Sequence, residues 1–209
     1  MTRISPVRRG ALLLATLAMA LGGAVGAAGP GTAVAPTHQE VAARQATAQR
    51  TTLTFEVDGC KKCRVRLTHA LQGHQKVWQS REKTVRGGQV AFTFRSNRSW
   101  GMSVTVRAPW EGATGYVTTV AFRYGHEKVG AGVTLREART KRRASGCWAG
   151  TQDTAMTLPL DVRKVRVPGT TGPTDGSIAW IPTTQAWLRP MLPARRGVLG
   201  TQDVPFCAS

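Results

Sequence analysis

From Thr52 onward, apolar side chains return at every second position, and no other feature restricts so tightly what this chain can fold into. Leu53, Phe55 and Val57 alternate with Thr52, Thr54 and Glu56. Val65, Leu67 and His69 alternate with Arg64, Arg66 and Thr68, and Met102, Val104 and Val106 with Ser103, Thr105 and Arg107. Val90, Phe92 and Phe94 keep the same rhythm, and Tyr116 to Tyr124 is rich in β-branched and aromatic residues. Successive side chains of a strand point to opposite faces, so each segment offers one apolar face to a core and one polar face to water. Met156, Leu158, Leu160 and Val162 form a further face. Its phase flips at Arg163-Lys164, where Val165 and Val167 take over, which predicts a bulge or a turn.

Turn chemistry separates these runs at Asp58-Gly59, Arg86-Gly87-Gly88, Glu111-Gly112, Tyr124-Gly125 and Thr174-Asp175-Gly176. Gly87-Gly88 is a two-residue hairpin signal, because glycine tolerates the positive φ such turns need. No stretch carries a strong 3.6-residue period with caps. Many short strands at regular spacing predict an all-β domain over residues 51–209. The expected form is an antiparallel β-sandwich, immunoglobulin-like or transthyretin-like. Residues 178–209 form a C-terminal extension that adds edge strands or wraps the sandwich.

The first 27 residues read as a cleaved signal peptide. Arg3, Arg8 and Arg9 make a basic start without acids, Ala11 to Leu21 an apolar core, and Gly22 to Gly29 a small-residue exit. Val25-Gly26-Ala27 suits cleavage before Ala28; Ala33-Val34-Ala35 has the better pattern but is followed by Pro36. The competing reading is a membrane anchor, yet a span needs roughly 20 apolar residues and this core is shorter. Arg8-Arg9 resembles a twin-arginine signal without the bulky apolar residue that should follow. General secretion is therefore expected, with a secreted product that associates with the cell wall or is released. Residues 28–50, rich in Ala, Gln and Thr, read as a disordered linker. No second apolar run of membrane length follows.

An even number of cysteines in an exported chain points to disulfides. Of three possible connectivities, Cys60–Cys63 staples the turn between two strands, and Cys147–Cys207 ties the region near Trp148 to the C-terminus. The long loop closed by the second is worth about 4 kcal/mol in the chain-entropy model. The tetrapeptide Gly-Thr-Gln-Asp occurs at 150–153 and again at 200–203, near that pair; chance accounts for a match of four residues. Cys-Lys-Lys-Cys also has the form of a redox dithiol, but its flanks read as strand where thioredoxin-like sites need a helix. Zinc is not expected, because the other two cysteines are far apart and the histidines lack ligand spacing. No cofactor is expected.

The leader holds three arginines and no acid, so its removal takes 29 Lys+Arg to 26 against 11 Asp+Glu, a net +15. That charge favours anionic partners. The densest runs are Arg136, Arg139, Lys141, Arg142 and Arg143, then Arg163, Lys164 and Arg166. These eight residues are the candidate anion-binding set; the competing reading is a solvated arginine-rich surface. Partners of the right chemistry are anionic cell-wall polymers and acidic polysaccharides, with nucleic acid only as a non-specific polyanion.

Six tryptophans (Trp78, Trp100, Trp110, Trp148, Trp180 and Trp187) either fill the core or offer stacking faces to sugars. There is no Gly-x-Ser-x-Gly, His-Glu-x-x-His or P-loop, and the carboxylates are scattered. His69 falls on an apolar face and reads as a satisfied core histidine.

Three stretches carry a resemblance: Thr54-Phe55-Glu56-Val57-Asp58-Gly59-Cys60-Lys61-Lys62-Cys63, Ala108-Pro109-Trp110-Glu111-Gly112 with Gly115-Tyr116-Val117-Thr118-Thr119, and Cys147-Trp148-Ala149-Gly150. With them the chain resembles a group of uncharacterised secreted proteins of high-GC Gram-positive, streptomycete-like bacteria. The resemblance implies export and a β domain, and brings no catalytic residues. The expected function is non-catalytic binding of an anionic envelope or extracellular component. A carbohydrate-binding module using exposed tryptophans comes second, and an extracellular thiol-disulfide protein third.

Overall fold

Backbone groups buried in a core must find partners, and period-two segments find them in strand ladders. The computed structural model describes residues 49–74, 76–111, 117–125, 127–140, 143–168, 172–192, 198–199 and 206–208. The signal peptide at 1–27, the linker up to residue 48, Lys141, Arg142 and the tetrapeptide at 200–203 lie outside them. The strands are β1 (Arg50–Asp58), β2 (Arg64–His69), β3 (Trp78–Gln79), β4 (Lys83–Thr84), β5 (Gln89–Arg95) and β6 (Met102–Arg107). They continue with β7 (Val117–Ala121), β8 (Arg123–Tyr124), β9 (Ala144–Ser145), β10 (Ala155–Val167), β11 (Thr174–Trp180) and β12 (Val198–Leu199). Among the described residues one α-helix, α1 (Leu135–Thr140), precedes β9, and Ser96–Arg98 form a short 3-10 helix after β5.

The domain is thus mostly β, as the alternation predicts. Eight strands follow one path, β3-β2-β6-β7-β11-β10-β1-β5, with β4 on β2 and β12 on β7; β8 and β9 pair separately. The expectation of a purely antiparallel arrangement is corrected: β1 runs parallel to β10, and β11 parallel to β7. Alternation is the same in both kinds of ladder, so it says nothing about direction. The β1/β10 pair also joins segments about a hundred positions apart, with Thr52 opposite Ala155 and Asp58 opposite Asp161.

The sheet curls until its ends meet. The Trp78 ring on β3 lies 6.1 Å from that of Phe94 on β5, and Lys83 Nζ donates to the Ala91 carbonyl at 2.7 Å. Inside the curl, Leu53 and Phe55 pack with Leu67, Val104, Phe92, Leu160, Phe122 and Trp148. A second cluster holds Ala121, Tyr124, Val133, Ala138, Ile178 and Trp180. Strands β7 and β11 serve both: Val120 and Ala179 face the first cluster, Ala121, Ile178 and Trp180 the second.

This explains the phase flip in β10, where neither a bulge nor a turn occurs. The strand runs unbroken for 13 residues, from its ladder with β1 to its ladder with β11. Leu158, Leu160 and Val162 look into the first cluster, and Val165, on the other face, packs on the second. The turn expected at Thr174-Asp175-Gly176 is likewise part of β11. A Cβ on Gly176 would strike the Val167 side chain, so that glycine serves close packing. Gly87-Gly88 does turn, with φ of 57° and 77° and reciprocal 3.0 Å bonds between Arg86 and Gln89. Helix α1 was not expected. It has a capping box, in which Glu137 N donates to Thr134 Oγ1 and Thr134 N to Glu137 Oε2. Six residues are too few for a periodic signal.

Candidate anion-binding site

Pairing of β8 with β9 sets Arg123 opposite Ser145 and Tyr124 opposite Ala144, and Gly125 N donates to Arg143 O at 2.9 Å. Alternation then sorts the side chains. Tyr124 is buried in the second cluster, where loss of water pushes its phenol far above its ordinary value. Arg123 and Arg143 fall on the opposite face, beside Ser145.

The C-terminal segment closes this face into a cleft. Leu188 N donates to Cys147 O, and Ser145 Oγ to Leu188 O. Beyond them Ala208 N donates to Arg189 O at 2.7 Å, Cys207 N to Ala70 O at 2.9 Å and Gln72 N to Cys207 O at 2.8 Å. The Cys147–Cys207 disulfide, completely buried, therefore knots three segments together at one point. Around it opens a cleft of about 780 Å³, lined by Arg123, Arg143, Arg189, Gln72, Trp187 and Met191 among others.

Three arginines line this cleft, and none of the described residues lining it carries a carboxylate. The ion pairs of the described residues involve none of the three. The Arg123 guanidinium carbon sits over the Trp187 ring, 3.8 Å from its centroid, a cation–π contact. Its Nε is shut off from water without a hydrogen-bond partner among the described residues. Leaving that N–H unpaired costs stability. Guanidinium matches the two-oxygen edge of phosphate or carboxylate.

Of the described candidate residues, Arg143 alone is brought into the cleft; Lys141 and Arg142 lie outside the described residues. Arg136 and Arg139 stand exposed on α1. Arg163, Lys164 and Arg166 lie among carboxylates: Arg163 binds Asp58 and Asp161, while Lys164 and Arg166 both bind Asp175. Arg123 and Arg189 were missed in the sequence because each stands isolated from other cations; only pairing across β8/β9 and the 189–208 contact gather them. Trp187, two positions before Arg189, is the one nearby signal.

The paired cluster makes stability acid-sensitive. The hydrogen bond and charge of Arg163 hold Asp58 below its ordinary value of 3.8, and those of Lys164 and Arg166 do the same for Asp175. Both carboxylates contribute stability above that range and lose it as pH falls through their lowered values. Asp161 is raised, chiefly by burial, so its protonation partly offsets the loss. Thermal melts should lose a little stability between pH 7 and 5, where the lowered pKa of half-buried His69 favours the unfolded chain, and decline further below about pH 4. Asp175→Asn should flatten the decline; an acid profile parallel to the parent's would show that the pairs do not act on stability.

Trp148 and Trp180 are buried, and the Trp110 indole N–H bonds to Gly176 O and Ser177 Oγ at 3.1 Å. Trp100 is 49% exposed, and Trp187 is half-buried in the cleft. Glu111 braces its own segment, accepting from Ala108 N and Thr118 Oγ1 at 3.0 Å each. Both disulfides have the expected connectivity, and Cys60 and Cys63 are buried beneath their turn. His69 is half-buried rather than in the core, with Nδ1 2.9 Å from Trp100 O and its pKa lowered by burial. Among the described residues no His/Cys/Asp/Glu group could hold a metal, and no helix is long and apolar enough to cross a membrane.

Fold and cleft together define a disulfide-tied, mostly β domain with an arginine-lined recess. Set beside known proteins, the chain matches no family model, no curated protein and no solved structure.

Proposed function

We propose that this is an exported, non-catalytic binding domain that holds an anionic group of an envelope or extracellular component in the Arg123/Arg143/Arg189 cleft. The observation that carries the reading is three arginines lining one recess with no carboxylate among its described lining residues. Two disulfides fit the oxidising compartment that export implies. The fold we propose is a β-sandwich whose layers, β3-β2-β6-β7 and β11-β10-β1-β5, enclose the first cluster, joined where β7 meets β11. Whether it is immunoglobulin-like or transthyretin-like is secondary to that layering.

Each arginine that binds an anion displaces condensed cations, so affinity must fall as salt rises. With three contacts, a duplex-like charge lattice would give a drop of roughly 40-fold between 50 and 200 mM salt; sparser polymers follow the same trend less steeply. Pull-down on isolated cell walls, with and without teichoic acid, across a salt series measures it. Arg143→Glu with Arg189→Glu should abolish the salt-sensitive fraction, while Arg163→Glu should leave it intact. Retention that ignores salt and is lost in Trp100→Ala would instead support the sugar-stacking reading.

A further inference from the structure

We infer that the rim of the arginine cleft docks on an anionic lipid surface; this rests on the anion-binding reading and names the source of the anion. Two kinds of side chain that rarely share an edge do so here. Arg123, Arg143 and Arg189 line the recess, and Met191 lines it with them. Met191 is 50% exposed, its neighbour Leu192 53% and Phe206 36%, and Met191 N donates to Phe206 O at 2.9 Å. These three make up nearly half of the seven large apolar side chains standing exposed among the described residues.

A soluble polyanion can satisfy the guanidiniums but offers nothing to exposed methionine, leucine and phenylalanine. An anionic bilayer offers both, phosphates at headgroup level and an apolar boundary 5–10 Å below. The backbone behind the rim is tied down by the Ala208–Arg189 hydrogen bond and by the disulfide at Cys207. The apolar side chains are thus presented from a fixed base, at the same edge as the charges. Contiguous exposed apolar groups rimmed by charge mark interaction surfaces more often than accidents of packing.

The test is flotation of the purified chain with phosphatidylglycerol or phosphatidylcholine vesicles, beside binding of soluble polyphosphate. Residues 1–27 are apolar in part, so each variant is compared with the parent carrying the same N-terminus. The parent should float with phosphatidylglycerol only, and high salt should release it. Met191→Ser with Phe206→Ser should lower vesicle partitioning roughly tenfold or more and leave polyphosphate binding unchanged; Leu192→Ser serves as an independent variant at the same rim. Arg143→Glu with Arg189→Glu should abolish both. Polyphosphate binding without flotation, or flotation that survives the serine variants, overturns the lipid inference and leaves the anion cleft standing. Loss of neither ligand in the arginine variant overturns both readings. A concentration-dependent dimer that vanishes in the serine variants, without flotation, would assign the rim to a second copy of the chain and overturn the lipid source.

Discussion

Replacing Cys147 and Cys207 by serine is expected to lower the thermal midpoint by roughly 8–16 °C and to weaken anion binding with it. The two cysteines are 60 positions apart. A cross-link of that span constrains the unfolded chain by about 4 kcal/mol in the chain-entropy model, and for a domain of this size each kcal/mol moves the midpoint by about 2–4 °C. The effect on binding has a separate cause. Cys207 is hydrogen-bonded to Ala70 and Gln72, and Ala208 to Arg189, so release of this end frees Gln72 and leaves Arg189 held only through Leu188 on Cys147 and Ser145. The Cys60–Cys63 staple spans three positions and lies at another turn. Its removal should cost about 2 kcal/mol and leave binding unchanged at temperatures where the domain stays folded. Calorimetry and salt-resolved binding on both variants decide the matter. Equal losses of binding would mean that the cleft depends on global stability and not on this bond.

Trp180→Ala is expected to destabilise the domain by about 3–5 kcal/mol, a large share of the total stability of a typical domain. Trp180 is 1% exposed at the end of β11, opposite Asp161 on β10 and Ala121 on β7. Its ring fills the second cluster, and its indole N–H donates to Val133 O at 3.0 Å. Truncation opens a cavity and leaves that buried carbonyl without its partner, two penalties that add. Trp100→Ala, at a half-exposed ring, should stay within about 0.5 kcal/mol of the parent. Denaturant titration of both proteins measures the difference. A Trp180 variant as stable as the Trp100 variant would mean that the second cluster does not contribute to folding.

The β1, β2, β5 and β6 segments were legible because each has a single apolar face, and alternation records that face directly. Of the strands that serve both clusters, β10 and β11 were misread in part. In β10 the apolar phase shifts when the strand passes from one cluster to the other, and in β11 a glycine needed for packing against Val167 looks like a turn. Helix α1 left only its capping box, Thr134 with Glu137, as a local sign.

The cysteine pairing was readable because compartment and spacing restrict it. The cleft was not. Charge density along the chain picks out 136–143 and 163–166, but in the folded domain the second run is paired with Asp58, Asp161 and Asp175. Two of the three cleft arginines, Arg123 and Arg189, stand alone in the sequence. By itself the sequence determined the strand period, the disulfide pairs and the excess of positive charge, all properties of neighbouring residues or of composition. Tertiary structure decided strand direction and the place where unpaired charge collects. Both depend on contacts between segments as distant as Arg123 and Arg189, and a linear pattern holds no record of which segments meet.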